Sequence, residues 1–466
     1  MGVAAQSERS LAGVRFERWA PALAAALALL LVIAAGEIVL DGSAGLSPLI
    51  PKSPDISSWL RGPGERLGYR VFLIALLASS GAYAGLLALL RATRAKTADG
   101  RARGASSGAH VLSARWAIVL VGALQVIVFA GPVLISTDVF SYIAYARMGV
   151  EHGLNPYVYG PVAIAHDPVF KYVGTDWIHV ATAYGPLYTL LSYPLAPLGV
   201  VGALWGMKLE ALLASAGTLA LTWRCARARG FDPVTAIVAV GANPLYVIYG
   251  LGGAHNDLIM MLTMMAAVSL MLAGRVPAAG APGARREAGA AAWIVAGALI
   301  KATVAVLLPF MIVSRRRLAP VLGALGAIAL GAIVGYAVFG IHGIDLVSAL
   351  NRDSAFVSSD SFANEIAHML GKPGVFPVDH DLLKGALVIV LVHLLWRTWR
   401  GYDWIAASGW ALLAISVTST WLLAWYILWP LPLAAVTRDR RLLAATLFVQ
   451  GLFVIHQISP LLAPLH

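Results

Sequence analysis

Chemistry in this chain rests on a few polar residues set among long apolar runs. The stretch STDVFSYIAYARMGVEHGLNPYV, residues 136–158, offers one carboxylate, Asp138, followed by Tyr142, Tyr145 and His152. At about 100° per residue, a helix beginning here carries Asp138, Tyr142, Tyr145, Gly149 and His152 on one face and Arg147 on the other. A carboxylate beside phenolic hydroxyls is suited to taking a proton from an alcohol and holding a sugar. The same residues also suit a helix cap and an interfacial aromatic belt, and spacing alone favours that plainer role. Two turn signatures follow, Asn155-Pro156-Tyr157 and Ala183-Tyr184-Gly185-Pro186-Leu187.

Further along, GANPLYVIYGLGGAHNDLIMM places His255, Asn256 and Asp257 at the start of a helix. Free backbone N–H groups and three hydrogen-bonding side chains there are more than a cap requires, and function and structure weigh about equally. Lys301, in AGALIKATVAVLLPF, is an ammonium inside an apolar run, which costs about 3 kcal/mol at a helix centre. It either snorkels to an interface or points into a cavity where it can meet a phosphate. Near the C-terminus, TSTWLLAWYILWPLPL supplies Trp421, Trp425, Tyr426 and Trp429. A bilayer-edge belt is the favoured reading, and an apolar groove for an isoprenoid tail is the alternative. Arg352, Asp353, Asp360 and Glu365 read as an exposed charged loop.

These residues need elements to hold them, and composition says which. The chain has 466 residues, 59% hydrophobic and only 12% charged, with mean hydropathy +0.78. That much apolar surface exceeds what one water-soluble core buries, so an all-α polytopic membrane protein is expected. Apolar runs at about 21–40, 70–90, 116–136, 204–223, 233–251, 257–274, 290–313, 318–339, 382–399, 404–420, 422–436 and 441–461 predict roughly 11–13 spans. The first follows Arg9, Arg15 and Arg18 and is too long for a signal-peptide core, so it reads as an uncleaved anchor. The net charge of +11 lies mostly in short loops, where a positive-inside bias accounts for it without nucleic acid. Cys225 is the single cysteine, which excludes an intramolecular disulfide.

The basic cluster from Arg91 to Arg115 places the N-terminus in the cytoplasm and delivers Asp138 to the outer side, opening a loop over 137–182. Arg285/Arg286 and Arg315/Arg316/Arg317 then share the inner side, so 290–313 must enter and leave on one face. Two solutions resolve the parity: this segment and 183–200, interrupted by Pro186, Pro194 and Pro197, are both broken or re-entrant, which is preferred, or both cross and the basic rule fails between them. One integral membrane domain is expected over 1–466, with accessory helices over 1–115, a catalytic core over 116–436 and a C-terminal helix over 437–466. Ala98–Ala109 and Pro277–Gly283 read as loops. There is no P-loop, dinucleotide fingerprint, Cys pair or His-Glu-x-x-His, and Asp138 stands alone. No cofactor is therefore expected, metal dependence stays open, and an activated lipid phosphate is the donor that suits such a protein.

Ser136-Thr137-Asp138-Val139 with Tyr142, Asn155-Pro156-Tyr157, Tyr184-Gly185-Pro186-Leu187, Asn243-Pro244, His255-Asn256-Asp257, Lys301 with Leu308-Pro309, and Trp425-Tyr426 with Trp429-Pro430 recur in one order. In this the chain resembles the polyprenol-phosphate-mannose-dependent alpha-1,6-mannosyltransferases of the GT-C superfamily, over about residues 119–433. The resemblance implies a GT-C-like bundle with a large outer first loop, a bacterial plasma-membrane location, a lipid-linked mannose donor, a glycolipid or glycan acceptor and an outward-facing site. It makes Asp138 the general base of an inverting transfer and Lys301 the partner of the donor phosphate. It makes Tyr142, Tyr145, Asn155, Tyr157, Tyr184, His255, Asn256, Asp257, Trp425 and Tyr426 substrate-binding residues. The segment 340–381 is left to contact the acceptor. A GT-C transferase for another polyprenyl-phosphate sugar, arabinofuranose or glucose, is the rival within the class. A lipid-linked sugar flippase or transporter is the rival outside it, although no repeated halves are visible.

Overall fold

A computed structural model describes residues 2–43, 59, 69–102, 111–273, 282–345 and 356–461; Arg352 and Asp353 lie outside them. The described residues form helices joined by turns and loops, as apolar runs in lipid must, because hydrocarbon offers no partner for unpaired backbone groups. In chain order these are α1 Gly2–Ser43, α2 Tyr69–Ala102, α3 Ala114–Ala130, α4 Asp138–Val150, α5 Pro186–Ser192, α6 Gly199–Ala228, α7 Pro233–Gly241, α8 Asp257–Leu272, α9 Pro282–Ala298, α10 Leu307–Arg315, α11 Leu318–Phe339, α12 Phe362–Met369, α13 Pro377–Trp399, α14 Trp404–Thr418, α15 Leu431–Ala435 and α16 Arg440–Ile458. Among the described residues, five helical stretches are long and apolar enough to cross a membrane: Trp19–Gly42, Tyr69–Thr93, Pro186–Ala228, Leu318–Gly343 and Arg440–Ile458. The molecule is a multi-pass membrane protein.

Several expected spans are shorter or interrupted, and each break has a cause. The run 233–251 stops at Gly241, ahead of Pro244, and resumes as one wide turn over Tyr246–Leu251. Asn243 repairs the break. Its amide accepts from Tyr246 N at 3.1 Å and donates to Gln450 Oε1 at 2.8 Å. The run 422–436 is divided into a short turn, Tyr426–Leu428, and α15, with Pro430 and Pro432 between and within them. Residues 183–200 form α5, a tight turn over Tyr193–Leu198 and a kink at Gly199, whose φ is 69°.

The parity problem has a geometric answer. α9 runs to Ala298, the chain turns through Leu299 and Ile300, Lys301 is extended, and a short turn over Ala302–Val306 leads back into α10. The two feet of this hairpin meet again, since Arg315 Nε lies 2.7 Å from Glu287 Oε1. Segment 290–313 therefore enters and leaves at one end, with Lys301 near its tip. The rise from Glu287 to that tip is about 20 Å at about 1.5 Å per residue, most of a hydrocarbon core of about 30 Å. The other basic loops collect at the hairpin's feet. Arg229, Arg286, Arg315 and Arg438 line one cavity of about 430 Å³, and Arg91, Arg438 and Arg440 line another of about 770 Å³.

Small residues let the hairpin seat itself. α9 packs on α8 and on α11, and a side chain at Gly323 would begin 2.2 Å from Ala288 O, so the two backbones meet there. The outer flank of α11 is wide open: Leu318, Leu322, Leu330 and Ile333 are each more than 60% exposed, which makes that flank a lipid-facing surface.

Candidate active site

Asp138 opens α4, yet it does not serve as its cap. The Asp138 N–H donates to Ser136 Oγ at 3.1 Å, and no cap bond comes from the Thr137 side chain. The carboxylate is left facing the interior. It is 17% exposed, with Oδ2 3.7 Å from His255 Nδ1. Burial pushes its pKa up to about 6; the nearby Lys301 charge and a hydrogen bond from Ser136 resist that rise, and Asp257 adds to it.

His255 and Asn256 come from the loop between the 246–251 turn and α8. This loop is tied to the one before α4 by Leu134 N donating to Gly252 O at 2.8 Å. Both loops carry a non-glycine residue with positive φ directly upstream of the site, Ile135 at 70° and Ala254 at 51°. Left-handed backbone at such residues costs of order 1–3 kcal/mol and persists only where surrounding contacts impose it. His255 is fully buried, stacked on Trp425 with ring centroids 3.6 Å apart, and 3.5 Å from Tyr142 Oη through Nδ1. Burial, and then Lys301, hold its pKa well below the ordinary imidazole value, so the ring is neutral. His255 Nε2 and both polar atoms of the Asn256 amide are buried without a hydrogen-bond partner. Asn256 occupies the cap position of α8 without capping it. Unpaired buried amides are costly and call for an outside partner.

Asp257 starts α8 and takes the hairpin tip. Lys301 Nζ donates to its two oxygens at 2.8 and 2.9 Å, and Trp429 Nε1 donates to Oδ1 at 2.6 Å. The ammonium also lies over Tyr426 and Trp429, at 4.5 and 5.3 Å from their ring centroids, while those rings stack on each other at 4.4 Å. Lys301 thus does not snorkel; it meets a carboxylate and two aromatic faces inside the bundle. The tip is fixed from outside by the start of α5, where the preceding Gly185 N donates to Ile300 O and Leu187 N to Leu299 O, at 3.1 and 3.0 Å. A side chain at Gly185 would begin 2.0 Å from Leu299 O, so this contact admits only glycine.

Tyrosines complete the enclosure. Tyr142 meets Tyr184 and Tyr188 edge to face at 4.8 and 5.1 Å, and Tyr145 lies 6.5 Å from Tyr184. Burial keeps the hydroxyls of Tyr142 and Tyr184 protonated, raising both pKa values well above the ordinary phenol. Tyr145 donates to Val180 O at 2.8 Å. Asn155 and Tyr157 spend their polar atoms on the scaffold: Asn155 Nδ2 on Phe339 O at 2.7 Å, and Tyr157 Oη on Tyr184 O at 2.9 Å. They shape the loop that carries Tyr184.

The helical wheel fails at one position. α4 ends at Val150, so His152 leaves the Asp138 stripe and lies beside Arg147, both of them binding Asp167, at 2.8 Å from His152 Nε2 and 2.9 Å from Arg147 Nε. Asp360 and Glu365, read as exposed charges, flank His456 at 3.4 and 3.7 Å. Two residues of the site escaped sequence reasoning in that role. Composition reads Trp429 as a belt residue and gives Tyr188 no distinction, although each stands four residues after another aromatic of the site, Trp425 and Tyr184. That i, i+4 recurrence was the available signal.

Comparison with known proteins adds a line independent of this geometry. A sequence profile described as alpha-(1->6)-mannopyranosyltransferase, N-terminal domain, matches residues 26–317, and one described as MptB C-terminal domain matches residues 382–460. The alpha-(1->6)-mannopyranosyltransferase A of Mycobacterium tuberculosis is 29% identical over 352 residues, 68% of this chain and 66% of that protein. A protein of the same name from Corynebacterium glutamicum is 29% identical over 189 residues, 40% of this chain and 36% of its own length. The matched segment thus spans less than two thirds of either relative. No solved structure matches significantly. The residues brought together here come from both profile-matched segments, Asp138, His255, Asp257 and Lys301 from the first and Trp425, Tyr426 and Trp429 from the second.

Proposed function

The chain belongs to the alpha-(1→6)-mannopyranosyltransferase family, and from that premise we propose that it transfers mannose from a polyprenyl-phosphate-linked donor to a hydroxyl of a lipid-anchored glycan. Asp138 acts as general base. The acceptor oxygen gives its proton to the carboxylate and bonds to the anomeric carbon, while the bond from that carbon to the phosphate oxygen breaks and the polyprenyl phosphate leaves with the electron pair. One in-line displacement on a beta-linked donor gives the alpha product. Two of the three N–H donors of Lys301 reach Asp257, which leaves one for the leaving phosphate, whose growing charge the ammonium offsets. His255 Nε2 and the Asn256 amide then take sugar hydroxyls as the partners they lack.

The observation that carries this reading is the meeting of a partly accessible carboxylate, Asp138, with the Lys301–Asp257 pair inside a tyrosine and tryptophan enclosure. The test is transfer of radiolabelled mannose from polyprenyl-phosphate-mannose to a mannose-bearing acceptor in vesicles containing the protein. Movement of donor across the bilayer without product overturns it. A base must be ionised to act, and the Asp138 pKa is raised to about 6. The second-order rate constant should therefore be flat above pH 7 and fall tenfold per pH unit below about 6. A profile flat down to pH 4.5 removes Asp138 from that role.

The Asp138 end is proposed to face outward and the basic end to face the cytoplasm, following the positive-inside rule. The test uses the native thiol as a silent background, because Cys225 is only 1% exposed. A Tyr159→Cys variant, at a position 47% exposed, should react with an impermeant maleimide in intact cells. An Arg317→Cys variant, at a side chain 61% exposed, should react only after permeabilisation. The reverse pattern overturns the orientation.

A further inference from the structure

Beside the site, three aromatic rings from three separate loops converge. Trp177, Phe356 and Trp421 are half-buried, with centroids 6.2 Å apart for Trp177 and Phe356, 5.9 Å for Trp177 and Trp421, and 5.5 Å for Phe356 and Trp421. The loops are fastened to each other. Thr420 Oγ1 donates to Phe356 O at 2.9 Å, Ser358 N to Thr420 O at 2.9 Å, and Ser358 Oγ to Leu422 O at 2.7 Å. Trp177 ends a short turn, Thr175–Trp177, whose following loop accepts the Tyr145 hydroxyl at Val180 O.

The cluster adjoins the candidate base. The point at which a Gly174 side chain would begin lies 2.9 Å from Thr137 Oγ1 and 3.2 Å from Trp177 Cδ1, and Thr137 directly precedes Asp138. On the other side, Trp421 stands four residues before Trp425, the ring stacked on His255. A bilayer-edge belt needs no such convergence of loops on a reactive centre. The rim is polar as well, since Thr420 also meets His380 Nδ1 at 3.3 Å. By contrast, the cleft between α5, α9 and α11, about 480 Å³, is lined by Leu187, Leu190, Trp293, Leu330 and other apolar groups.

We propose that Trp177, Phe356 and Trp421 form an acceptor subsite, on which a hexopyranose of the acceptor glycan stacks its C–H face next to the unit whose hydroxyl Asp138 deprotonates. Rigid aromatic rings give a sugar a large apolar contact while leaving its hydroxyls to the polar rim. The proposal rests on the transferase reading and adds to it where the acceptor binds.

The experiment uses the full-length protein in detergent micelles, with alpha-1,6-linked mannose oligosaccharides as probe. Trp177→Leu and Trp421→Leu keep apolar bulk but lose the ring face and the indole N–H. Each should raise the acceptor KM about tenfold, leave the donor KM unchanged and hold kcat at saturating acceptor; the Phe variants should recover most of the loss. Saturation-transfer NMR should show oligosaccharide binding weakened in parallel, a readout that needs no turnover. Unchanged acceptor KM and unchanged binding in an actively transferring protein overturn the subsite and leave the transferase reading standing. Binding that depends on Trp177 and Trp421 in a protein that transfers nothing would leave the subsite standing and remove the transferase reading.

Discussion

Asp138→Asn reduces mannose transfer by about 10²–10⁴-fold, the range a positioned general base supplies, while the protein accumulates and elutes as the native chain does. The substitution keeps the shape, removes the charge and the basic oxygen, and puts an N–H donor where one carboxylate oxygen stood. Its effect on folding should run the other way. Burial raises the pKa of Asp138 to about 6, so for this group the charged form is the one the fold disfavours. The sign follows from linkage: an acid whose folded pKa lies above its unfolded value costs stability as pH rises through that interval. An uncharged amide escapes the cost, and the variant should melt no lower than wild type at pH 7.5. Loss of activity together with an unchanged or higher melting temperature separates a chemical role from a structural one. Full transfer by the variant removes Asp138 as base.

Lys301→Met loses both transfer and stability. The Asp257 carboxylate, 1% exposed, then keeps only the Trp429 N–H, and stranding one member of a buried pair costs about 3–5 kcal/mol. The single variant therefore cannot tell catalysis from folding. The Asp257→Asn/Lys301→Met double variant can, because it buries no unpaired charge. Its melting temperature in detergent should recover most of the loss, and its transfer should not. Recovery of both would make the pair a structural fastener and remove Lys301 from the phosphate. Recovery of neither would mean that Asp257 and Lys301 hold the hairpin tip beyond their mutual charge, which Gly185, packed against Leu299 O, is then left unable to do alone.

How much of this could be read in advance depends on the range of the interaction. Hydropathy settled the helical membrane class, and charge counting narrowed 290–313 to two solutions, a segment that turns back or a crossing that breaks the basic rule, of which the structure shows the first. Lys301 stood out by cost alone. Its partner did not, since Asp257 lies 44 residues before it and Trp429 lies 172 residues after Asp257, and no local period links them. The same limit made a belt the favoured reading of Trp425, Tyr426 and Trp429 on composition, with Trp425 and Tyr426 marked as substrate-binding only by the resemblance, whereas their contacts with His255 and Lys301 need the fold. His152 shows the opposite error. The wheel was sound, but it was carried past the last turn of α4, where a helical period has no meaning.

The hairpin from Pro282 to Arg315 also bears on how such a chain is laid into its membrane. The two feet close on Glu287 and Arg315, so the chain leaves α10 at the end where it entered α9, and α11 starts back along α9, meeting it at Gly323 and Ala288. Lys301 at the hairpin's tip meets Asp257 on α8, and Trp429, from a segment made much later in the chain, closes on the same carboxylate, so three stretches far apart in sequence depend on one buried ion pair.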